Sequence, residues 1–213
     1  MCYVPGKNGN MCFVDTTGKF FLEISQDEYA DNDPREWNPL GHMWCFHGHY
    51  QLGDKHDLVS EQFDGWDDME DYLYKELDAR VVLPLRLYDH SGIGMSTSAS
   101  GYPWNCPWDS GWVGFIFATA EDIRKNWNVK RVTKQLVERT KAILEAEVEL
   151  YDHYISGEVY SGTLYEKKEC TCCEEITYEW IDGCGGYIGE IGNCTDQIKQ
   201  DVGHGYEWEE YDG

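Results

Sequence analysis

Apolar runs stand on both sides of Asp15-Thr16-Thr17-Gly18 in residues 11–24, MCFVDTTGKFFLEI. Two β-rich runs around a turn of that composition predict a hairpin. A helical period takes over at residues 65–78. Trp66, Met69, Leu73 and Leu77 share one face, the other face is acidic, and Asp64 stands where an N-cap is expected. The apolar runs RVVLPLRLY (80–88) and GWVGFIFA (111–118) predict strands, and Pro84 places the first at an edge or a bulge. Thr119 and Asp122 have the spacing of a capping box that opens a short helix to about Trp127. A long helix follows over about 132–156, where Val132, Leu136, Thr140, Ile143, Leu144, Val148, Tyr151 and Ile155 recur at three- and four-residue spacing and Gly157 ends the pattern.

Residues 158–168 (EVYSGTLYEKK) and 174–183 (EEITYEWIDG) read as an antiparallel pair, and TDQIKQDV (195–202) as a helical turn. Residues 27–57 read as irregular, and the segment from Gly203 as an acidic, mobile tail. There is no internal repeat. Helices mixed with antiparallel strands predict the α+β class: a mainly antiparallel sheet, one long helix and two shorter ones. The composition changes late in the chain, which divides it into an α+β core domain, 1–165, and an acidic, Cys-rich appendage, 166–213.

Composition narrows the function. The chain has 213 residues, enough to bury a substantial core. No run of eighteen apolar residues exists and residues 1–10 lack the apolar centre of a signal peptide, so a cytoplasmic protein with no membrane partner is expected. Nine cysteines in a reducing compartment argue against a disulfide framework. Cys2, Cys12, Cys45 and Cys106 sit singly among apolar neighbours, as buried cysteines do. Cys170, Cys172, Cys173, Cys184 and Cys194 cluster late. Cys170 and Cys173 form one CxxC with no second pair, so no cofactor is expected and zinc stays only as an alternative. His47-x-His49, if in a strand, would place two rings on one face and is a second candidate for a metal.

Forty acids face seventeen bases, a formal net charge of −23. A field of that sign repels DNA and anionic membranes and attracts basic protein surfaces, including those that bind nucleic acid. The aromatic content of 15% excludes a disordered acidic chain, so a folded body presents the acids. Residues 54–78 carry ten acids against two bases, and residues 161–213 thirteen against three. Asp64, Asp67, Asp68, Glu70, Asp71 and Glu76, spaced along a helix, can imitate a row of phosphates or form a solvated face. The balance inverts between Arg124 and Lys141, with seven bases and one acid. That stretch is either a phosphate-binding patch using Arg131 and Lys134 or a set of bases paired with neighbouring acids.

Between the two strongest strand signals lies LYDHSGIGMSTSASGYPWNCPWDSGW (87–112). If strands 80–88 and 111–118 pair antiparallel, Asp89, His90, Asp109 and Ser110 meet at one end of the sheet, with Ser91 beside them and Ile93–Trp108 folded over them as a flap. Tyr102, Trp104 and Trp108 would then offer stacking faces, or the loop side chains only satisfy their own backbone. A catalytic alternative takes Cys106 as nucleophile, His90 as base and Asp89 as orienter, with Ser91 or Ser110 in place of the thiol. Against it, Pro107 rather than a helix start follows Cys106, and no Gly-x-Ser-x-Gly elbow is present.

Three segments, NPLGHMWCFHGHYQLGDKHD (38–57), LPLRLYDHSGIGMST (83–97) and CPWDSGWVGFIF (106–117), resemble a family of uncharacterised proteins carried by phages and integrative elements. The similarity continues through residues 129–162 and covers about 36–165. Trp112 departs from the family's pattern, in which a polar residue, often Gln, is expected. The resemblance carries no chemistry. It implies a place on mobile DNA, where small acidic proteins often are counter-defence factors. Three functions follow as expectations. One is a phage or mobile-element inhibitor of a host nucleic-acid-targeting defence protein, a CRISPR or restriction effector. The second is a sponge that sequesters a nucleotide immune signal through the aromatic Asp/His/Ser loop, with Arg131 or Lys134 on its phosphate. The third is a small hydrolase.

Overall fold

The computed structural model describes residues 4–211 except 8, 29, 30, 99, 102 and 105, so Cys2 and Tyr102 lie outside the described residues. In chain order the elements are β1 (Met11–Asp15), β2 (Phe20–Gln26), β3 (His42–Cys45), α1 (Trp66–Lys75), β4 (Ala79–Asp89), β5 (Ile93–Ser96), β6 (Ser110–Thr119), α2 (Ala120–Trp127), α3 (Lys134–Ile155), β7 (Val159–Glu169), β8 (Ile176–Ile188), α4 (Ile191–Asp201) and β9 (Trp208–Glu210). All strand pairs are antiparallel, and the class is α+β. Two details differ from expectation. The strands form two sheets, and TDQIKQDV belongs to a fourth helix of eleven residues. No helix among the described residues is long and apolar enough to cross a membrane.

The chain divides into two compact units, residues 33–156 and residues 1–32 with 157–213. The expected border at 165/166 falls inside β7, which pairs with β8 over its whole length and with β2 over Tyr160–Glu166. That ladder ties the late segment to the first hairpin.

In the unit that joins both ends of the chain, the strand order is β8-β7-β2-β1-β9. Ile198 and Val202 of α4 pack on Phe13, Leu22, Ile24 and Leu164. A Cβ on Gly162 would fall 2.2 Å from Ile198 Cγ2, so the helix can seat on β7 only over a glycine. The predicted hairpin turn is held by Asp15. Burial would raise the pKa of this carboxylate, but hydrogen bonds outweigh it and hold it below the usual range. Asp15 accepts the N–H groups of Lys19 and Phe20, both at 2.8 Å, and the Thr17 N–H and hydroxyl. The C-terminal tail is an edge strand rather than a loose end: β9 pairs with β1, and Trp208 Nε1 donates to Gly203 O at 2.9 Å.

Residues 33–156 form three layers around a sheet of order β3-β6-β4-β5. On one face Leu144, Val148 and Tyr151 of α3 pack on Val81, Leu83, Leu85 and Ile116. On the other, Met69 and Leu73 of α1 pack on Val82, Phe115 and Phe117. Central strands covered on both faces read as continuous apolar runs, which is how β4 and β6 appear in the sequence. The register shifts opposite Leu85/Arg86 and skips Val113, which joins the α3 face while Phe115 and Phe117 face α1. Pro84 is tolerated because β5 covers only Arg86–Asp89, leaving β4 paired on one side at the proline. The segment 27–57 is not wholly irregular, since β3 completes the sheet against β6. The N-cap of α1 is Gly65, and Asp64 instead donates its own N–H to the Asp68 carboxylate at 3.1 Å.

A buried arginine ties segment 33–54 to α3. The Arg35 side chain is 4% exposed. Its Nε and Nη2 bind Asp54 as a fork at 2.9 and 3.0 Å, Nη1 reaches Glu147 at 3.3 Å, and Nη2 also donates to Gly41 O at 2.6 Å. The remaining carboxylate capacity is used by the N–H groups of Leu40 and Gly41 on Glu147 and of Met43 on Asp54. Removing one partner of such a network strands the others without compensation. Arg35→Ala is expected to cost about 3–5 kcal/mol in chemical denaturation followed by tryptophan fluorescence. A loss below about 1 kcal/mol, the scale of an exposed ion pair, would show that the network is not what holds this segment down.

Candidate functional site

The β4–β6 ladder decides which of the anticipated residues meet. Tyr88 pairs with Ser110, and the Asp89 N–H donates to Asp109 O at 2.9 Å. Asp89, His90, Asp109 and Ser110 therefore gather at one end of the sheet, as the antiparallel pairing predicts. His90 Nδ1 lies 3.4 Å from Asp109 Oδ1, and Cys106 Sγ donates to Asp109 Oδ2 at 3.2 Å. Ser110 Oγ lies within 2.8–3.1 Å of the carbonyl oxygens of Pro103, Trp104 and Cys106, which curl around the hydroxyl. Ser91 takes a left-handed φ of 55° in the tight turn into β5. Tyr50, not anticipated as part of this cluster, donates its hydroxyl to Asp89 Oδ1 at 3.3 Å.

Two parts of the expected picture change. Only the later part of the expected flap meets the cluster, through Pro103, Trp104 and Cys106, and its first part does not. Ile93–Ser96 leaves as β5, paired with Arg86–Asp89 at the sheet edge. The β5 backbone is fixed by α3, where Asp152 accepts the Met95 N–H at 2.6 Å. A Cβ on Gly94 would lie 3.1 Å from that carboxylate and 3.5 Å from Trp104, so a glycine lets both approach. Trp104 is thus partly packed, whereas Trp108 is 90% exposed. Tyr102, the third ring, lies outside the described residues. Secondly, the catalytic order is not made. The Cys106 thiol and the His90 imidazole bind opposite oxygens of Asp109 rather than each other, and Asp89 orients neither.

Arg131 and Lys134 are absent from this cluster. They line a concavity of about 430 Å³ with Arg80, Arg124 and Lys130. Arg80 lies at the start of β4 and Asp89 at its end, about 30 Å along the strand. One ligand cannot use both the aromatic loop and these bases, so the expected pocket that joins them does not form. The alternative of internal pairing also fails for most of them. Arg80 binds Asp78 at 2.5 Å, but Arg124, Lys130, Arg131 and Lys134 make no ion pair among the described residues.

On α1, Met69 and Leu73 are buried while Asp67, Asp68 and Asp71 are exposed and Glu70 is half-buried. Asp64 and Glu76, exposed, flank the row, and Lys75 pairs with Asp71 at 2.6 Å.

The histidine pair expected in a strand lies beyond β3. His47 Nδ1 accepts the N–H groups of His49 and Tyr50, and its ring stacks on Tyr50 at 5.0 Å, so one imidazole nitrogen is committed to the loop. The thiols that do converge are Cys170, Cys172 and Cys173, within 4.8 Å of one another at the tip of the β7–β8 hairpin. They could supply three soft ligands to an ion. Cys184 stands opposite Gly162 on β8 and Cys194 is buried in α4, so neither completes a four-cysteine zinc centre. Comparison with protein families, with curated proteins and with solved structures gives no match.

The hairpin tip is chemically distinct. The Cys172 thiol, 2.9 Å away, and then backbone N–H groups and Cys173 stabilise the Cys170 thiolate and bring its pKa down to about 6. Alkylation by iodoacetamide is therefore expected to rise with pH through a midpoint near 6 at Cys170, against about 8.5 for an ordinary thiol, and Cys172→Ser is expected to move the midpoint upward. Mass-spectrometric mapping of the labelled peptide checks this. A Cys170 midpoint of about 8.5 in the unaltered chain would contradict the assignment.

Proposed function

We propose that this chain is a counter-defence protein of a phage or other mobile element. In this reading it acts in the host cytoplasm by occupying the nucleic-acid channel of a defence protein, a CRISPR or restriction effector. The observation that carries the reading is the α1 face. The four carboxylates of α1, Asp67, Asp68, Glu70 and Asp71, fall within five residues, about 6 Å of rise, or roughly one charge per 2 Å of axis. Double-stranded DNA carries one phosphate charge per about 1.7 Å of its axis. The row is rigid because Met69 and Leu73 anchor the opposite face in the core. The net charge of −23 supports a basic protein partner and disfavours direct nucleic-acid binding. The resemblance of residues 36–165 to phage and integrative-element proteins supports the setting.

Cleavage assays with purified restriction endonucleases and RNA-guided nucleases test the reading. In the one that responds, the chain is expected to compete with DNA, with inhibition that weakens as salt rises. Charge reversal of three exposed residues, Asp67→Lys, Asp68→Lys and Asp71→Lys, is expected to weaken inhibition at least about tenfold, with the helical circular-dichroism signal unchanged. Inhibition insensitive to both salt and charge reversal would refute the phosphate-row mechanism.

A further inference from the structure

At the end of the sheet where Ala79 pairs with Thr119, two concavities adjoin, and Arg124 lines both. The first, about 350 Å³, is walled by rings: Trp44 meets Phe117 edge-on at 4.8 Å, and His42 lies 5.3 Å from Phe117. Asp78 and Glu121 add carboxylates to that wall. The second, about 430 Å³, holds the five cations Arg80, Arg124, Lys130, Arg131 and Lys134.

Five of the chain's seventeen bases thus crowd into one hollow of a protein with forty acids, and four of them have no ion-pair partner among the described residues. Like charges held together repel, and an anion between them removes that cost. The hollow also sits at the start of α3, whose first turn contains no acid to cancel the positive end of a helix of twenty-two residues. Arginine forks and lysine ammonium groups together suit phosphoryl oxygens. The neighbouring hollow offers the opposite chemistry. Ring faces accept a planar base, and carboxylates accept hydrogen bonds from its amino and imino groups while repelling phosphate. A bipolar ligand is therefore oriented one way only.

We propose that this groove binds a nucleoside polyphosphate, with the base against His42 and Trp44 and the phosphates among Arg124, Lys130, Arg131 and Lys134. Each hollow is within the size range of small-molecule sites. The assignment is independent of the α1 reading and lies about 30 Å along β4 from the Asp89 cluster.

Calorimetry on the full chain tests the site with GTP, ATP, tripolyphosphate, guanosine and a short single-stranded RNA. A nucleoside triphosphate is expected to bind, tripolyphosphate to bind at least about fivefold more weakly, and guanosine not measurably. Combining Arg131→Glu with Lys134→Glu, both exposed, is expected to weaken binding by more than about tenfold. His42→Ala is expected to weaken the triphosphates and leave tripolyphosphate unchanged, and Asp89→Ala to change nothing. The site is overturned if neither triphosphate binds, or if the double charge reversal has no effect. It is equally overturned if tripolyphosphate binds as tightly as the nucleotides, or if the RNA binds more tightly than either.

Discussion

The register of β4 against β6 is the constraint on which the arrangement of residues 33–156 depends. Eleven residues of β4 run antiparallel to ten of β6, from Ala79 opposite Thr119 to Tyr88 opposite Ser110. Each end of that ladder receives a different chemistry because different loops leave from it. At one end the chain turns into Asp89-His90-Ser91-Gly92 and arrives through Asp109-Ser110-Gly111. At the other, Asp78 enters and the α2 capping box leaves, which brings Arg80 and Arg124 together. A shift of one residue would exchange the two faces and separate Phe115 and Phe117 from α1. The bulge at Val113 resolves the remaining conflict, since it lets one apolar run serve two layers.

Charge is sorted rather than spread. The acids on α1 and the bases around the start of α3 stay apart, although pairing them would be the simplest compensation for a chain this acidic. The buried guanidinium of Arg35 is fully used. Arg35 is held by Asp54, Glu147 and the Gly41 carbonyl, and burial of the guanidinium is more than offset by those carboxylates. The exposed, unpaired charges are thus distinguished from the structural ones by their partners, and that difference separates candidate binding surfaces from scaffold.

Much of the fold was legible in the sequence. The hairpin at Asp15, the capping box at Thr119, the long helix and the two central strands all follow from local periodicity and caps, because each signal is contained within a few residues. The meeting of Asp89 with Asp109 was legible as well, since it needs only the pairing of two strong strands. What escaped depends on distant sequence. β3 and β9 are short and gain their identity from the strands they pair with, β6 and β1. The two-unit division could not be read because β7 returns to the N-terminal hairpin. Arg131 and Lys134 stand out by their charge, but their local sequence does not say which end of the sheet they reach. Arg80, alone among apolar neighbours, gave no signal, and the aromatic segment at 42–49 drew attention to its histidines as ligands rather than to His42 and Trp44 as a wall.

Under the proposed assignment, phosphate recognition and the Asp-His-Ser cluster occupy opposite ends of one ladder. Amide chemical shifts of the full, ¹⁵N-labelled chain, recorded as GTP is added, test it directly. Perturbations are expected at Arg80, Arg124 and Lys130–Lys134, with Asp89–Gly92 and Asp109–Gly111 unmoved. Perturbations centred on Asp89 and Asp109, or on both ends equally, would contradict it.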